Sequence, residues 1–189
     1  MGWILLALGL ALWWGAHLYR AALPERRAAL QAHMGEASKG IFAGLIVLGL
    51  VLIVLGYRAA PFVPVWLPPA WTVHVNNLLV LLALYIYFTT ATVPGTAWLF
   101  GRLRHPQLVG FSIWAVAHLL VNGDLASILL FGALLAWALA EIAVANRSPS
   151  LVDRSEARIA NPFVHLALVV AAFALIAAIH GWVGPSPFG

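Results

Sequence analysis

The stretch at residues 41–57 reads IFAGLIVLGLVLIVLGY and contains no charged side chain. As a helix it is about 25 Å long at 1.5 Å per residue, which approaches the thickness of the hydrocarbon core of a bilayer. The rest of the chain has the same character, since 63% of its 189 residues are hydrophobic, 8% are charged and the mean hydropathy is +0.97. The remaining polar and charged side chains are too few to cover the surface of a soluble globular protein. The sequence therefore predicts an integral membrane protein.

Five further apolar stretches of comparable length occur at residues 3–19, 73–92, 108–122, 125–144 and 163–182. We therefore predict an all-α integral membrane protein with six transmembrane helices in one bundle. We treat residues 1–189 as a single transmembrane domain with a loose tail at residues 184–189. Only Asn122, Gly123 and Asp124 separate the fourth and fifth stretches, which predicts a tight antiparallel hairpin. The first stretch lacks the basic start and the cleavage site of a signal peptide, so we expect it to remain as a membrane helix.

The basic residues indicate which way the chain crosses the membrane. Nine of the ten follow the odd-numbered apolar stretches, and Arg58 alone follows the second. The nine are Arg20, Arg26, Arg27, Lys39, Arg102, Arg104, Arg147, Arg154 and Arg158. By the positive-inside rule, the loops that hold them are cytoplasmic and both termini are periplasmic. The net charge of +4 forms no basic stripe, so we do not expect nucleic-acid binding.

Local signals predict two helix starts and one short extra helix. Asp124 precedes the fifth stretch, and Asn161 precedes Pro162 at the start of the sixth. These are residue types preferred at the N-cap and at the first position of a helix. Pro24 begins a segment whose apolar residues recur at helical spacing. We interpret this segment either as an interfacial helix on the cytoplasmic face or as an ordinary loop helix.

A metal in this chain would need nitrogen or oxygen ligands, because the chain has seven histidines and no cysteine. A polar ring deep in an apolar helix needs a partner, which makes such a histidine a functional candidate. His118 is the best of these, since Trp114 and Phe111 lie one and two turns before it on the same face. Ala115 leaves room there for a flat group, so this face suits a porphyrin. The alternative is a ring bonded to a backbone carbonyl or to Asn122.

His17 has a similar setting, because Trp13 lies one turn before it. The alternative for His17 is a histidine in the aromatic belt at the membrane interface. Counted along the first stretch, His17 lies about 20 Å from its start, whereas His118 lies in the outer half of the membrane. His74 and His180 match His118 better in depth and are kept as alternate partners.

Structural roles are expected for three of the other histidines. His74 has Asn77 three residues further on, which predicts a hydrogen bond between the two side chains. His105 and His165 lie at helix starts near water, so we expect neither to need a ligand. His180, at the end of the last stretch, is ambiguous.

Two motifs carry a resemblance to a known family. Residues 104–108 read RHPQL, and residues 114–127 read WAVAHLLVNGDLAS. Together with Ala16-His17-Leu18, Gly35-Glu36 and His180-Gly181-Trp182, they resemble the NnrU family in order and spacing over essentially the whole chain. The chain is also similar to the membrane core of the plant 15-cis-zeta-carotene isomerase.

The resemblance to the NnrU family implies a protein of the bacterial inner membrane that is associated with nitrite and nitric oxide reduction. The resemblance to the isomerase implies haem b, with His17 and His118 as the iron ligands. It also matches His105 and His74 to histidines of the isomerase, so His105 is kept with His74 and His180 as an alternate cofactor-binding residue. The isomerase has a cysteine where this chain has Ala115, which excludes a thiolate ligand and argues against isomerase activity.

The leading hypothesis is a haem b protein for redox handling, haem supply or nitric oxide sensing, with Trp114, Phe111 and Asn122 beside the cofactor. One alternative is a haem-dependent cis–trans isomerase of a lipophilic polyene such as a carotenoid, and another is a haem-free assembly factor. The expected partners are membrane lipid and either nitrite or nitric oxide reductase components or a carotenoid-like ligand. Whether the protein is an enzyme, and whether it holds one haem or two, stays open at this point.

Overall fold

The computed structural model describes residues 1–89, 103–147 and 161–188. Within these ranges the chain forms seven helices and one isolated β-bridge, between Pro64 and Asp124. The helices are α1 Gly2–Ala22, α2 Pro24–Met34, α3 Ala37–Ala59, α4 Thr72–Phe88, α5 Pro106–Val121, α6 Leu125–Ala145 and α7 Pro162–Val183. The all-α prediction is confirmed, and the predicted short helix after Pro24 is α2.

The described part of each of the six predicted apolar stretches lies almost entirely on one helix. Four helices, α1, α3, α6 and α7, are long and apolar enough to cross a membrane. The helices α4 and α5 are apolar but shorter, at 17 and 16 residues. The chain is therefore a multi-pass membrane protein. Part of the predicted topology lies outside the described residues, namely the end of the third stretch and three arginines, Arg102, Arg154 and Arg158. The positive-inside orientation therefore stays a prediction.

The helices form two compact units. The first unit comprises residues 1–65 and 124–137, which include α1, α2, α3 and the first part of α6. The second unit comprises residues 66–123 and 138–189, which include α4, α5, the whole of α7 and the last turns of α6. The single domain predicted for the whole chain stays a prediction.

In the first unit, α1 and α3 pack with their backbones in close approach at glycines. A Cβ atom at Gly9 would lie 2.6 Å from the backbone nitrogen of Ile53, and one at Gly56 would overlap the backbone of Leu6. Both positions therefore require a residue without a side chain. Since Leu6 lies opposite Gly56 and Gly9 lies opposite Ile53, the two helices are antiparallel. Small residues of this kind let membrane helices approach closely enough for extensive van der Waals contact.

The helix α2 is fastened to α3 through Arg27. Nη1 of Arg27 donates to Oε1 of Gln31 at 3.1 Å and to Oγ of Ser38 at 3.2 Å. Its guanidinium carbon lies 4.8 Å from the ring centre of Phe42. Ser38 is fully buried, so this polar contact lies inside the unit. The helix ends at Gly35, whose φ of 56° favours glycine.

In the second unit, α4 packs against both α5 and α7. A Cβ atom at Gly110 on α5 would lie 2.6 Å from the carbonyl oxygen of Ala83 on α4, so glycine is required there as well. The predicted cap of α7 is confirmed, because Oδ1 of Asn161 accepts from the backbone N–H of Phe163 at 2.9 Å. The side chains of Phe163 and Trp182 are 78% and 86% exposed, as expected for apolar groups that contact lipid.

The link between α5 and α6 has the three residues that the sequence predicts. Oδ1 of Asp124 accepts from the backbone N–H of Ser127 at 3.0 Å, which confirms the predicted N-cap. Gly123 has no space for a side chain, because a Cβ atom there would overlap the carbonyl of Trp66. The antiparallel packing of the two helices stays a prediction.

Candidate functional site

The imidazole of His17 has a fixed tautomer. Its Nδ1 lies 2.8 Å from the carbonyl oxygen of Trp13, one turn earlier on α1. A carbonyl oxygen only accepts hydrogen bonds, so the proton is on Nδ1 and the lone pair is on Nε2. Nε2 is therefore the nitrogen of His17 that can bind a metal or accept a further hydrogen bond.

Two tryptophans surround this ring. The ring of Trp13 lies 4.4 Å from His17, and the ring of Trp137 on α6 lies 4.7 Å from it at 65°. The two indoles meet edge to face at 5.3 Å, and Trp137 is 6% exposed. Trp14 also joins α1 to α6, since its Nε1 donates to the carbonyl of Ala133 at 3.2 Å. The imidazole of His17 is thus held between aromatic rings of two helices in the first unit.

The indole N–H of Trp13 has no acceptor among the described residues, although the nitrogen is buried. A buried donor without a partner costs about 1–3 kcal/mol. The aromatic cluster around His17 therefore offers one buried donor to whatever binds beside the imidazole.

His118 on α5 repeats the arrangement of His17. Its Nδ1 lies 3.0 Å from the carbonyl oxygen of Trp114, and the two rings are 4.8 Å apart at 48°. The ring of Phe111 continues the row at 5.0 Å from Trp114. Of the two alternatives for His118, the bond to a backbone carbonyl is the one present, because Asn122 donates to the carbonyl of His118 and not to its ring. The lone pair of His118 is therefore also on Nε2.

Ala115 does not leave the open room that the sequence suggests. Ala115 and Ala117 are both fully buried, so protein atoms pack around the two methyl groups. A flat group beside His118 would have to approach from another side of α5, or the surroundings of Ala115 would have to move.

His180 is a third histidine with the same tautomer. Its Nδ1 lies 2.8 Å from the carbonyl oxygen of Pro185, which leaves the lone pair on Nε2. His180 lies in the last turn of α7, and His118 lies in the last turn of α5. Both alternate partners, His74 and His180, lie in the same unit as His118.

The described part of the tail after α7 contacts α4 and α7 at several points, and the loose tail stays a prediction. Nδ2 of Asn77 donates to the carbonyl of Pro187 at 2.9 Å, and the ring of Phe188 packs 6.5 Å from that of Phe173. The bond from His180 holds Pro185. The tail folds back because its proline carbonyls find donors on α4 and α7. Gly189 lies outside the described residues.

Two histidines use Nε2 within the protein and are less suited to a metal. Nε2 of His165 lies 3.2 Å from the carbonyl oxygen of Tyr85, and His165 is only 2% exposed, so its predicted place near water was wrong. Nε2 of His105 lies 3.1 Å from Oδ1 of Asn146.

His74 is exposed, and its predicted bond to Asn77 is absent. The amide of Asn77 instead bonds to Asn76 and to the tail. His33 on α2 is exposed as well.

The hydrogen bonds therefore divide the histidines into two groups. His17, His118 and His180 keep Nε2 as the nitrogen with the lone pair, whereas His105 and His165 use Nε2 in structural bonds. In the described part of the chain, no three histidine and carboxylate side chains gather as a metal cluster. The sequence did not predict that Trp137 packs against His17 or that the tail accepts a hydrogen bond from His180. Trp137 lies on a different helix from His17, and the tail contains no recognisable motif.

Fold and site together define a multi-pass α-helical membrane protein that carries tautomer-fixed imidazoles in apolar helices. The family described as NnrU protein matches residues 5–187, which is nearly the whole chain. The chain belongs to the NnrU protein family. No curated protein and no solved structure matches it.

Proposed function

We propose that the protein binds haem b in a bacterial inner membrane and acts in redox handling, haem supply or nitric oxide sensing for nitrite and nitric oxide reduction. The link to denitrification rests on the NnrU family. The proposed iron ligands are Nε2 of His17 and Nε2 of His118. One observation carries the assignment: each of these rings donates Nδ1–H to the carbonyl of a tryptophan one turn earlier.

The donor set fits a haem iron. Metal-bound histidines generally donate their other ring N–H to a carbonyl or carboxylate, which fixes the ring and raises its basicity. The rings of Trp13 and Trp114 give both histidines an apolar, aromatic setting. The buried indole N–H of Trp13 could donate to an acidic edge of the group. When bound, the haem would supply one-electron chemistry, or would bind nitric oxide if one imidazole dissociates.

His180 is the alternative partner of His118. Its place in the same unit as His118, and the lone pair that its Nδ1 bond leaves on Nε2, favour it, whereas the resemblance to the isomerase favours His17. The two pairings are separated by substitution of each histidine alone.

The proposal includes six membrane crossings with both termini in the periplasm. The helices α4 and α5 would be about 24–26 Å long at 1.5 Å per residue, enough to cross with modest local thinning of the bilayer. Cysteine accessibility from the two sides, on single cysteines introduced at the exposed positions His33 and Ser186, would test this orientation in a chain that has no cysteine of its own.

The deciding experiment is the oxidised and reduced absorbance spectrum of the detergent-purified protein, with a pyridine haemochrome assay for stoichiometry. We expect the wild type to show sharp reduced bands of a six-coordinate b haem, and His118→Ala to lose the haem. His17→Ala is expected to lose the six-coordinate spectrum, while His180→Ala and the exposed control His33→Ala keep it.

Other outcomes have definite meanings. If His180→Ala lost the six-coordinate spectrum and His17→Ala kept it, the iron ligands would be His118 and His180. A wild-type protein without a Soret band after haem addition would overturn the proposal in favour of a haem-free assembly factor. A co-purified carotenoid whose double-bond geometry changes on the reduced protein would favour the polyene isomerase.

A further inference from the structure

The corner between α1 and α2 exposes two arginines beside an apolar side chain. The helix α1 ends at Ala22 and α2 begins at Pro24, so Leu23 alone forms the turn. Arg20, Leu23 and Arg26 are all exposed, Leu23 to 39%. We refer to these three residues as the α1–α2 corner. No residue of α2 is buried, so this helix lies on the surface of the first unit.

Residues 20–27 contain three arginines and one carboxylate, Glu25, so the corner carries a net positive charge. The other two cations of this region are already engaged: Lys39 pairs with Glu36 at 2.7 Å, and Arg27 bonds inside the unit to Ser38 and Gln31. Neither arginine of the corner forms an ion pair with any residue that the structure describes.

The position of the corner sets the depth of its charges. The helix α1 is long and apolar enough to cross a membrane, and Arg20 is in its last turn. An arginine at the end of a membrane helix lies at the level of the lipid headgroups. The exposed side chain of Leu23 between the two arginines is suited to the boundary of headgroups and acyl chains.

We propose that the α1–α2 corner is a binding site for the phosphate group of anionic phospholipids. A guanidinium matches a phosphate with two parallel hydrogen bonds. The two guanidinium groups form no ion pair with any described residue, and with Glu25 counted they still leave a net positive charge for an anionic headgroup. The partner is a lipid of the bilayer, because the corner adjoins the apolar surface of α1. This proposal is independent of haem binding.

The test is lipid binding to the purified protein by native mass spectrometry, with phosphatidylglycerol and phosphatidylcholine in competition. We expect the wild type to prefer phosphatidylglycerol, and Arg20→Gln and Arg26→Gln to reduce this preference roughly fivefold each. The control is Arg58→Gln, which removes an exposed cation at the other end of α3 and should leave the preference unchanged. Circular dichroism of each variant checks the fold.

Three results would overturn the proposal. An equal affinity of the wild type for the two lipids would remove its basis. An unchanged preference in the double variant Arg20→Gln/Arg26→Gln would move the site elsewhere. If inorganic phosphate competed with phosphatidylglycerol as well as the lipid itself does, the site would be one for free phosphate. Nanodiscs of the two lipids, compared by thermal unfolding, give an independent readout of the same preference.

Discussion

Nε2 of His165 on α7 donates to the carbonyl oxygen of Tyr85 on α4 at 3.2 Å, and the two rings pack edge to face 4.5 Å apart. Tyr85 lies in the last turn of α4, so this hydrogen bond joins the end of α4 to α7. Since a carbonyl only accepts, the proton of His165 is on Nε2, opposite to the tautomer of His17. His165 therefore links one membrane helix to another.

This contact predicts a specific pattern of stability. We expect His165→Ala to lower the free energy of unfolding by about 2 kcal/mol, because it removes a buried ring and the hydrogen bond that this ring donates. His165→Gln should lose less, since its amide N–H can still donate. Thermal unfolding in detergent measures both, with the exposed His33→Ala as control. Equal losses in the two variants would mean that the hydrogen bond contributes nothing.

The glycines of α3 provide a matched pair for testing the packing of α1 against α3. A Cβ atom at Gly56 would overlap the backbone of Leu6, whereas at Gly44 nothing lies within 4 Å. We expect Gly56→Ala to destabilise the protein by about 2 kcal/mol through forced separation of the helices. Gly44→Ala should be neutral or stabilising by about 0.5–1 kcal/mol, since alanine favours the helix. Thermal unfolding that ranks the two variants in the reverse order would contradict the close approach.

The tail should become mobile when its donor on α4 is removed. Asn77→Ala deletes the amide that binds the carbonyl of Pro187. We expect hydrogen exchange of the Ser186 and Phe188 amides to become about fivefold faster, which corresponds to the loss of one hydrogen bond. Exchange is measured by mass spectrometry on the C-terminal peptide. His74→Ala, an exposed change on the same helix, serves as the control and should leave the rate unaltered.

The apolar patterns predict where the helices lie, because each membrane helix must be apolar over most of its length. Asp124 and Asn161 are local caps, so their roles were also readable from a few adjacent residues. The burial of His165 and the tryptophan that α6 adds to His17 depend on which helices touch. That information is tertiary, and the periodicity of one stretch does not contain it.

The sequence also left the histidine tautomers open, although they decide which nitrogen can bind a ligand. The spacing of Trp13 and His17 shows that the two rings share a helix face, but not that Nδ1 turns back to the carbonyl. For His180, the acceptor comes from a tail that we expected to be loose. The carbonyl to which each ring donates was thus the part of the site that the sequence did not determine.

Tyr57, Ser127 and Asp124 form a directed chain of hydrogen bonds in the first unit. Oγ of the fully buried Ser127 donates to the carboxylate of Asp124, so the hydroxyl of Tyr57 must donate to Ser127, at 2.9 Å. We expect Ser127→Ala to cost about 1–2 kcal/mol and Tyr57→Phe about 1 kcal/mol. In the Ser127→Ala background, Tyr57→Phe should have almost no further effect, because the tyrosine has already lost its acceptor. A double-mutant cycle by thermal unfolding measures this coupling, and strictly additive losses would show that the two hydroxyls act independently.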